Sequence, residues 1–161
     1  MYRPHTPFVA PKKYFDMYNQ SEMEIPYSGS NDSYLNTIPI PAQHSVRWKK
    51  DQIKLNLKKN NKLAQEIKEA YYATTTFVDA QIGRILKKLK RTGLDKNTRV
   101  VFTSDHGYHL GEHGHWQKQT LFENSTRVPL IFSGPGIPSG VSSHSPVELI
   151  DRYPTLSDIT Q

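Results

Sequence analysis

The clearest pattern in the chain is a stripe of apolar residues that recurs every three or four positions over residues 63–89. A repeat of about 3.6 residues places such side chains on one face of an α-helix. Gly93 follows a lysine-rich end and suits the left-handed position that closes a helix. The pattern therefore predicts one helical region from about Ser45 to Gly93. The stripe consists of Leu63, Ile67, Tyr71, Thr74, Val78, Ile82, Ile85 and Leu89.

Two short apolar runs after this helix predict strands, at residues 99–103 and 128–132. Pro129 assigns the second run to a sheet edge or a strand start, because proline has no N–H to donate. The polar stretch between them, residues 104–126, predicts a loop with one helical turn. Residues 147–159 predict a final helix, with Asp151 near its start. This order predicts an α/β fold, part of a sheet flanked by helices.

Residues 1–45 contain prolines at positions 4, 7, 11, 26, 39 and 41, together with many Tyr, Ser and Asn residues. Proline disfavours both helix interiors and central strands. We therefore predict a long irregular amino-terminal loop over residues 1–45, with one helical turn near residues 12–18. The regular elements are expected in residues 46–161.

Composition excludes several kinds of chemistry. The 161 residues include no Cys, so disulfides, thiolate metal sites and a cysteine nucleophile are excluded. No signal peptide and no apolar run of membrane-spanning length is visible, so we expect no membrane partner and assign no compartment. The net charge of +6 favours anionic partners. Without a recognisable binding module we expect no nucleic-acid partner, and the basic run at residues 49–68 is typical of a solvated helix face.

The segment most suited to chemistry is residues 103–118, which holds four His, two acids and three Gly. Carboxylate oxygens and imidazole nitrogens together suit a divalent metal, and glycines allow a close backbone approach. Asp105 and His106 come directly after a predicted strand, where ligands bind in open α/β sheets. The residues alone leave two hypotheses open: a divalent-metal hydrolase or a structural His-rich loop.

Several motifs in this chain resemble the sulfatase family. They are Asp105-His106-Gly107, Leu110-Gly111-Glu112-His113-Gly114, Trp116 with Lys118, and Arg127-Val128-Pro129-Leu130-Ile131. The loop Arg3-Pro4-His5-Thr6-Pro7-Phe8 is similar to a loop of iduronate-2-sulfatase-like members. The resemblance implies an alkaline-phosphatase-like mixed sheet, of which residues 1–161 form a partial catalytic domain. It also implies hydrolysis of a sulfate ester on a sulfated saccharide, such as an iduronate-2-sulfate-type substrate.

The resemblance assigns roles residue by residue. Asp105 and His106 match metal positions, where calcium is usual, and Lys118 matches a lysine that contacts the sulfate. His5 matches a histidine that lines the sulfate pocket and could protonate the leaving oxygen. His5 and Lys118 are therefore expected to contact substrate, and His115 is a third candidate because it could face the substrate. We expect packing roles for His109, His113 and Trp116.

One departure concerns the nucleophile, which in this family is a formylglycine made from Cys or Ser in a Cys/Ser-x-Pro-x-Arg motif. The nearest match, Ser133-Gly134-Pro135-Gly136-Ile137, ends in Ile instead of Arg. The paired Asp ligands of the family are also missing. We therefore expect the carboxyl-side part of a domain, inactive alone, whose possible partner is the missing amino-terminal half. The parent is expected to be exported, periplasmic or lysosomal.

Two other functions remain open. A metal-dependent phosphohydrolase of the same superfamily also uses Asp-His-Gly after a strand. A catalytically inactive truncated or accessory chain would instead bind an anionic polymer through its basic helix.

Overall fold

A computed structural model of the chain describes residues 3–26, 36–47 and 60–160. Mixed helices and strands confirm the predicted α/β class. None of the helices in these ranges combines the length and apolar character needed to cross a membrane. In chain order the elements are α1 (Lys12–Phe15), α2 (Ile40–Arg47), α3 (Asn61–Arg91), β1 (Val100–Thr103), β2 (His109–Leu110), β3 (Trp116–Gln117), α4 (Glu123–Thr126), β4 (Leu130–Ser133) and α5 (Arg152–Ile159).

The long helix α3 confirms the periodic pattern over residues 61–91. Its start is capped by the Asn60 side chain, which accepts a hydrogen bond of 3.0 Å from the Leu63 N–H. It ends before Gly93, whose φ of 72° is the expected left-handed value. The predicted helical stretch at residues 48–59 lies outside the described residues.

In the described part of residues 1–45, the predicted loop is interrupted by a 3-10 turn over Gln20–Glu22 and by α2, which begins at Ile40. Pro39 and Pro41 led us to expect irregular backbone there. Proline is nevertheless tolerated in the first turn of a helix, where its missing N–H would have no partner. The predicted turn near residues 12–18 is present as α1.

Both predicted strands are confirmed. They pair antiparallel as β1 and β4, with Val101 opposite Phe132 and Thr103 opposite Leu130. β4 begins directly after Pro129. A second antiparallel pair, β2 with β3, forms a small hairpin inside the predicted loop. Strands of two residues are too short to show an alternating pattern, so the sequence did not predict them.

The amino-terminal half of α3 is the platform for the loop that follows β1. Ala64 on α3 and Trp116 on β3 form a buried apolar cluster. Partly buried side chains packed around it are Ile25, Leu63, Ile67 and Leu110. Helix α1 packs on the same helix, with the rings of Tyr14 and Phe77 5.3 Å apart. The burial of Trp116 agrees with its predicted packing role.

Candidate functional site

The structure brings together three predicted site residues: Asp105, His106 and Lys118. The Lys118 Nζ lies 2.8 Å from the His106 Nε2 although twelve residues separate them in the chain. The Asp105 Oδ2 lies 3.6 Å from the same ring nitrogen. The β2–β3 hairpin makes this meeting possible, because it returns the chain toward the end of β1.

Hydrogen bonds set the orientation of the His106 ring. Its Nδ1 lies 2.8 Å from the Gly107 carbonyl oxygen, which can only accept, so Nδ1 carries the proton. The other nitrogen, Nε2, then has a lone pair and accepts from the Lys118 ammonium. The Ser104 hydroxyl donates to the His106 carbonyl oxygen at 2.8 Å, a contact that no motif had indicated.

Asp105 is held in its charged form. Slight burial raises the pKa of this carboxyl, but backbone hydrogen bonds, the Lys118 ammonium and, when its ring is protonated, His106 outweigh it, so the pKa lies below its usual value. The side chain is 85% exposed. It therefore presents a carboxylate to solvent beside a cation and an imidazole.

Gly107 lets this loop approach α4 more closely than any side chain would allow. Its N–H donates to the Ser125 carbonyl oxygen at 2.8 Å. A Cβ added at Gly107 would lie 2.1 Å from the Asn124 carbonyl oxygen. The position of His106 therefore depends on the absence of a side chain at the next residue.

A buried polar network lies behind the site. His109 is fully buried, and its Nε2 lies 2.8 Å from the Thr120 Oγ1. The Thr120 hydroxyl donates to the Ser125 Oγ at 3.0 Å, so the His109 Nε2–H donates to Thr120. These contacts support the packing role of His109. Thr120 and Ser125 were missed because isolated hydroxyl residues in a loop carry no periodic signal.

The backbone on both sides of Lys118 is left-handed. Gln117 and Gln119 have φ values of 72° and 71°, which are uncommon for residues other than glycine. Such conformations persist only where the surroundings hold them, and they concentrate at functional sites. Trp116 and Thr120 are buried and anchor the chain on either side. The lysine is therefore presented by a restrained turn.

The other two predicted site residues are His115, which is buried, and His5, which is exposed. His115 is 3% exposed and its ring centre lies 5.1 Å from that of His109, so a substrate could reach it only after a rearrangement. Its substrate role stays a prediction. His5 is exposed, on a segment whose Phe8 ring lies 6.1 Å from the Tyr108 ring of the site loop. This packing brings the amino-terminal segment to the loop, while the catalytic role of His5 stays a prediction.

Asp105 and His106 carry donor types that suit a divalent metal, and the Asp105 Oδ2 lies 3.6 Å from the His106 Nε2. In this arrangement, however, Nε2 accepts from the Lys118 ammonium and Nδ1 carries the proton, so His106 could bind a metal only after Lys118 moved away. Within the described ranges, no group of three or more His, Cys, Asp or Glu side chains could hold a metal. Calcium takes six to eight oxygen ligands in general. The exposed Asp105 carboxylate is therefore open to a metal, whereas His106 is not while it holds Lys118, and the metal itself stays a prediction.

Known hydrolases resemble this chain in sequence and in fold. The sulfatase family model matches residues 1–161. A sulfatase of Formosa agariphila is 39% identical, covering 98% of this chain and 31% of its own length. Human iduronate 2-sulfatase is 32% identical, covering 84% of this chain and 26% of its own length. The phosphonate monoester hydrolase of Silicibacter pomeroyi superposes with a TM-score of 0.82 at 30% identity, covering 98% of this chain and 32% of its own length.

The chain therefore spans 31% of the length of the Formosa agariphila sulfatase and 26% of the length of human iduronate 2-sulfatase. The match extends over the β1 strand, the site loop and β4, where Asp105, His106 and Lys118 meet. The structural superposition covers nearly the whole chain, including the helix that supports the loop. On both grounds, this chain belongs to the sulfatase family of hydrolases.

Proposed function

We propose that this chain supplies one side of the active site of a sulfuric-ester hydrolase. The observation that supports this most is the Lys118 ammonium, held 2.8 Å from His106 and beside the exposed Asp105 carboxylate. Lys118 can place a positive charge on the sulfuryl oxygens, where negative charge builds during hydrolysis. In this structure His106 holds the ammonium beside Asp105, and the restrained turn fixes the backbone from which the lysine side chain extends.

Asp105 and His106 are the proposed metal ligands, with calcium as the proposed ion. Because the His106 Nε2 holds the Lys118 ammonium in this structure, metal binding by His106 requires the lysine side chain to turn away, toward the sulfate. A bound divalent ion would supply Lewis-acid stabilisation of the sulfate oxygens. The low pKa of Asp105 suits this role because the carboxylate is available for a cation at neutral pH. His5 is proposed to donate a proton to the leaving oxygen.

The proposed nucleophile, formylglycine, is not supplied by these residues, because the 161 residues contain no Cys. Ser133 is exposed at the end of β4 and lies opposite Val100 at the start of β1, whereas the site follows the other end of β1. Covalent catalysis needs an activated nucleophile. We therefore propose that the chain alone does not turn over substrate and that a further segment completes the site.

A sulfated saccharide is the proposed substrate. The similarity to iduronate 2-sulfatase supports this substrate class, because that enzyme is named for a sulfate ester on a sugar. A second candidate is a phosphonate or phosphate monoester, which the similarity to the phosphonate monoester hydrolase favours. Both substrates present a tetrahedral anion that Lys118 could bind.

A chimera would test the proposal. Residues 1–161 would replace the matching segment of the Formosa agariphila sulfatase, and turnover of a sulfate ester and a phosphonate monoester of the same alcohol would be measured. We expect metal-dependent turnover with the sulfate ester preferred. Lys118→Ala should lower kcat/KM by roughly 100-fold, the typical effect of losing one group that stabilises transition-state charge.

The matched control is Lys62→Ala, which removes an exposed lysine at the start of α3 and should leave turnover unchanged. Equal effects of the two substitutions would contradict the role of Lys118. A chimera that folds but prefers the phosphonate monoester would favour the second candidate. Turnover by the isolated chain would show that the proposed missing nucleophile is not required.

A further inference from the structure

The carboxyl-terminal end of α3 carries a concentrated positive charge that the proposed reaction does not use. Six cations occur over residues 84–96, with Asp95 as the only acid in that stretch. All six side chains are exposed, and in the part of the chain that the structure describes none forms an ion pair. They are Arg84, Lys87, Lys88, Lys90, Arg91 and Lys96.

The side chains of these cations do not cap the carboxyl-terminal end of the helix. Basic side chains often bond to the last carbonyls of a helix. Here the Thr92 hydroxyl donates to the Lys88 and Leu89 carbonyl oxygens at 3.0 and 2.9 Å. The N–H groups of Thr92 and Gly93 donate to Lys88 and Lys90 carbonyl oxygens. The Arg84 Nη1 donates to the Gln81 Oε1 at 2.7 Å, which leaves its other guanidinium N–H groups and the remaining cations available to a ligand.

The cations border a groove between the last turns of α3 and the turn that follows it. We call this feature the basic groove, and its lining includes Arg84, Ile85, Lys88, Leu89, Arg91 and Leu94. Ile85 and Leu94 are more than half exposed. The groove thus combines an apolar floor with positive charge, and it matches an anionic ligand that has nonpolar faces.

The basic groove is separate from the candidate active site. Tyr71 on α3 stacks on Tyr108 of the site loop. Lys88 lies seventeen residues further along the same helix, which corresponds to about 25 Å at the rise of an α-helix. The groove lies at the amino end of β1, and Asp105 follows its carboxyl end. One sugar residue cannot contact both.

We infer that the basic groove binds a sulfated polysaccharide chain at a position remote from catalysis. The choice of ligand rests on the proposed function, since a polymer bearing sulfate esters would be present wherever the substrate is polymeric. Arg84 and Arg91 can each bind a sulfate through two parallel hydrogen bonds. Hydrocarbon faces of the sugar rings would cover Ile85 and Leu94. The groove would hold the polymer while the distant site acts on another part of it.

Other polyanions fit the groove less well. Single-stranded nucleic acid is bound by stacking bases on aromatic side chains, and residues 81–97 contain none. A lipid bilayer is flat, so it would contact protruding side chains and leave a groove unfilled. These alternatives are outcomes of the test.

The test uses the 161-residue chain in buffer with a metal chelator. Binding of a size-defined, heparin-type sulfated oligosaccharide would be measured by calorimetry, beside its desulfated form. The variant Arg84→Gln/Lys88→Gln/Arg91→Gln should weaken binding roughly tenfold, as expected for three exposed charge contacts. The control Lys12→Gln/Lys13→Gln/Lys62→Gln removes the same charge from other exposed positions. It should change binding less than about twofold, because long-range attraction is screened by salt.

Equal weakening in the two triple variants would overturn the inference, because binding would then follow net charge alone. Equal affinity for the desulfated form, for vesicles of anionic lipid or for a single-stranded oligonucleotide would overturn the assignment to a sulfated saccharide. The three groove substitutions should weaken binding by the same factor when they are made in an Asp105→Asn/Lys118→Ala background, which removes sulfate contacts at the candidate active site. If they have no effect in that background, the ligand lies at the candidate active site instead. Because no turnover is measured, failure here leaves the chimera result unaffected.

Discussion

Replacing Gly107 with alanine tests whether the close approach of the site loop to α4 positions His106. The added Cβ would lie 2.1 Å from the Asn124 carbonyl oxygen, 3.0 Å from its carbon and 3.2 Å from the Arg127 carbonyl oxygen. All three are backbone atoms, so no flexible side chain can move aside. Overpacking of this kind costs about 1–3 kcal/mol. We expect the upper part of that range, because the loop and α4 must separate and the Gly107–Ser125 hydrogen bond must lengthen.

Gly83 provides a matched control within the same chain. It lies inside α3, and an added Cβ would meet no heavy atom within 4 Å. Alanine in a helix interior is more favourable than glycine by about 0.5–1 kcal/mol. Gly83→Ala should therefore raise the free energy of unfolding, whereas Gly107→Ala should lower it.

The free energy of unfolding of both variants and the wild type would be measured by urea denaturation followed by circular dichroism. Proton NMR would follow the His106 ring and the Lys118 ammonium, whose 2.8 Å contact should be lost in Gly107→Ala and kept in Gly83→Ala. A Gly107→Ala variant as stable as the wild type, with that contact intact, would refute the reasoning. It would mean that the loop does not lie against α4 as closely as described.

Two further predictions concern buried groups near the site. His109→Ala should lower the free energy of unfolding by about 2–4 kcal/mol, because it leaves a cavity and removes the hydrogen bond to Thr120. In the same urea denaturation, His144→Ala at an exposed loop position should change it by less than about 0.5 kcal/mol; equal effects would contradict the network. Burial, and the nearby Tyr71, raise the pKa of Tyr108 to about 12, so the folded state holds this proton more tightly than the unfolded state. The contribution of this proton to the free energy of unfolding is complete at pH values below 10.0, the ordinary pKa of tyrosine. It is lost as the pH rises toward about 12, the pKa in the folded state. Tyr108→Phe should abolish that part of the pH dependence of unfolding; an unchanged profile would contradict it.

Much of the fold could be predicted from the sequence because secondary structure leaves a local signal. The stripe from Leu63 to Leu89 repeats with the helix period, and α3 follows it over residues 61–91. The runs before Ser104 and after Pro129 became β1 and β4. Proline-based reasoning failed at α2, since prolines are compatible with a helix start.

The motifs at Asp105, His106 and Lys118 indicated chemistry and family from the sequence alone, and the family assignment is confirmed. They could not indicate that Lys118 would donate to the His106 ring, or that His115 would be buried. The hydrogen bonds from His109 to Thr120 and from Thr120 to Ser125 were also invisible. None of these contacts follows a repeat along the chain.

The sequence thus determined the elements, because helix and strand periods arise from backbone geometry within a few residues. Only the tertiary structure decided which loop side chains meet. That outcome depends on the path of an aperiodic loop through glycine and left-handed residues, and on its packing against α3. The distance between Lys118 and His106 is set through space by those contacts, and no local pattern encodes it.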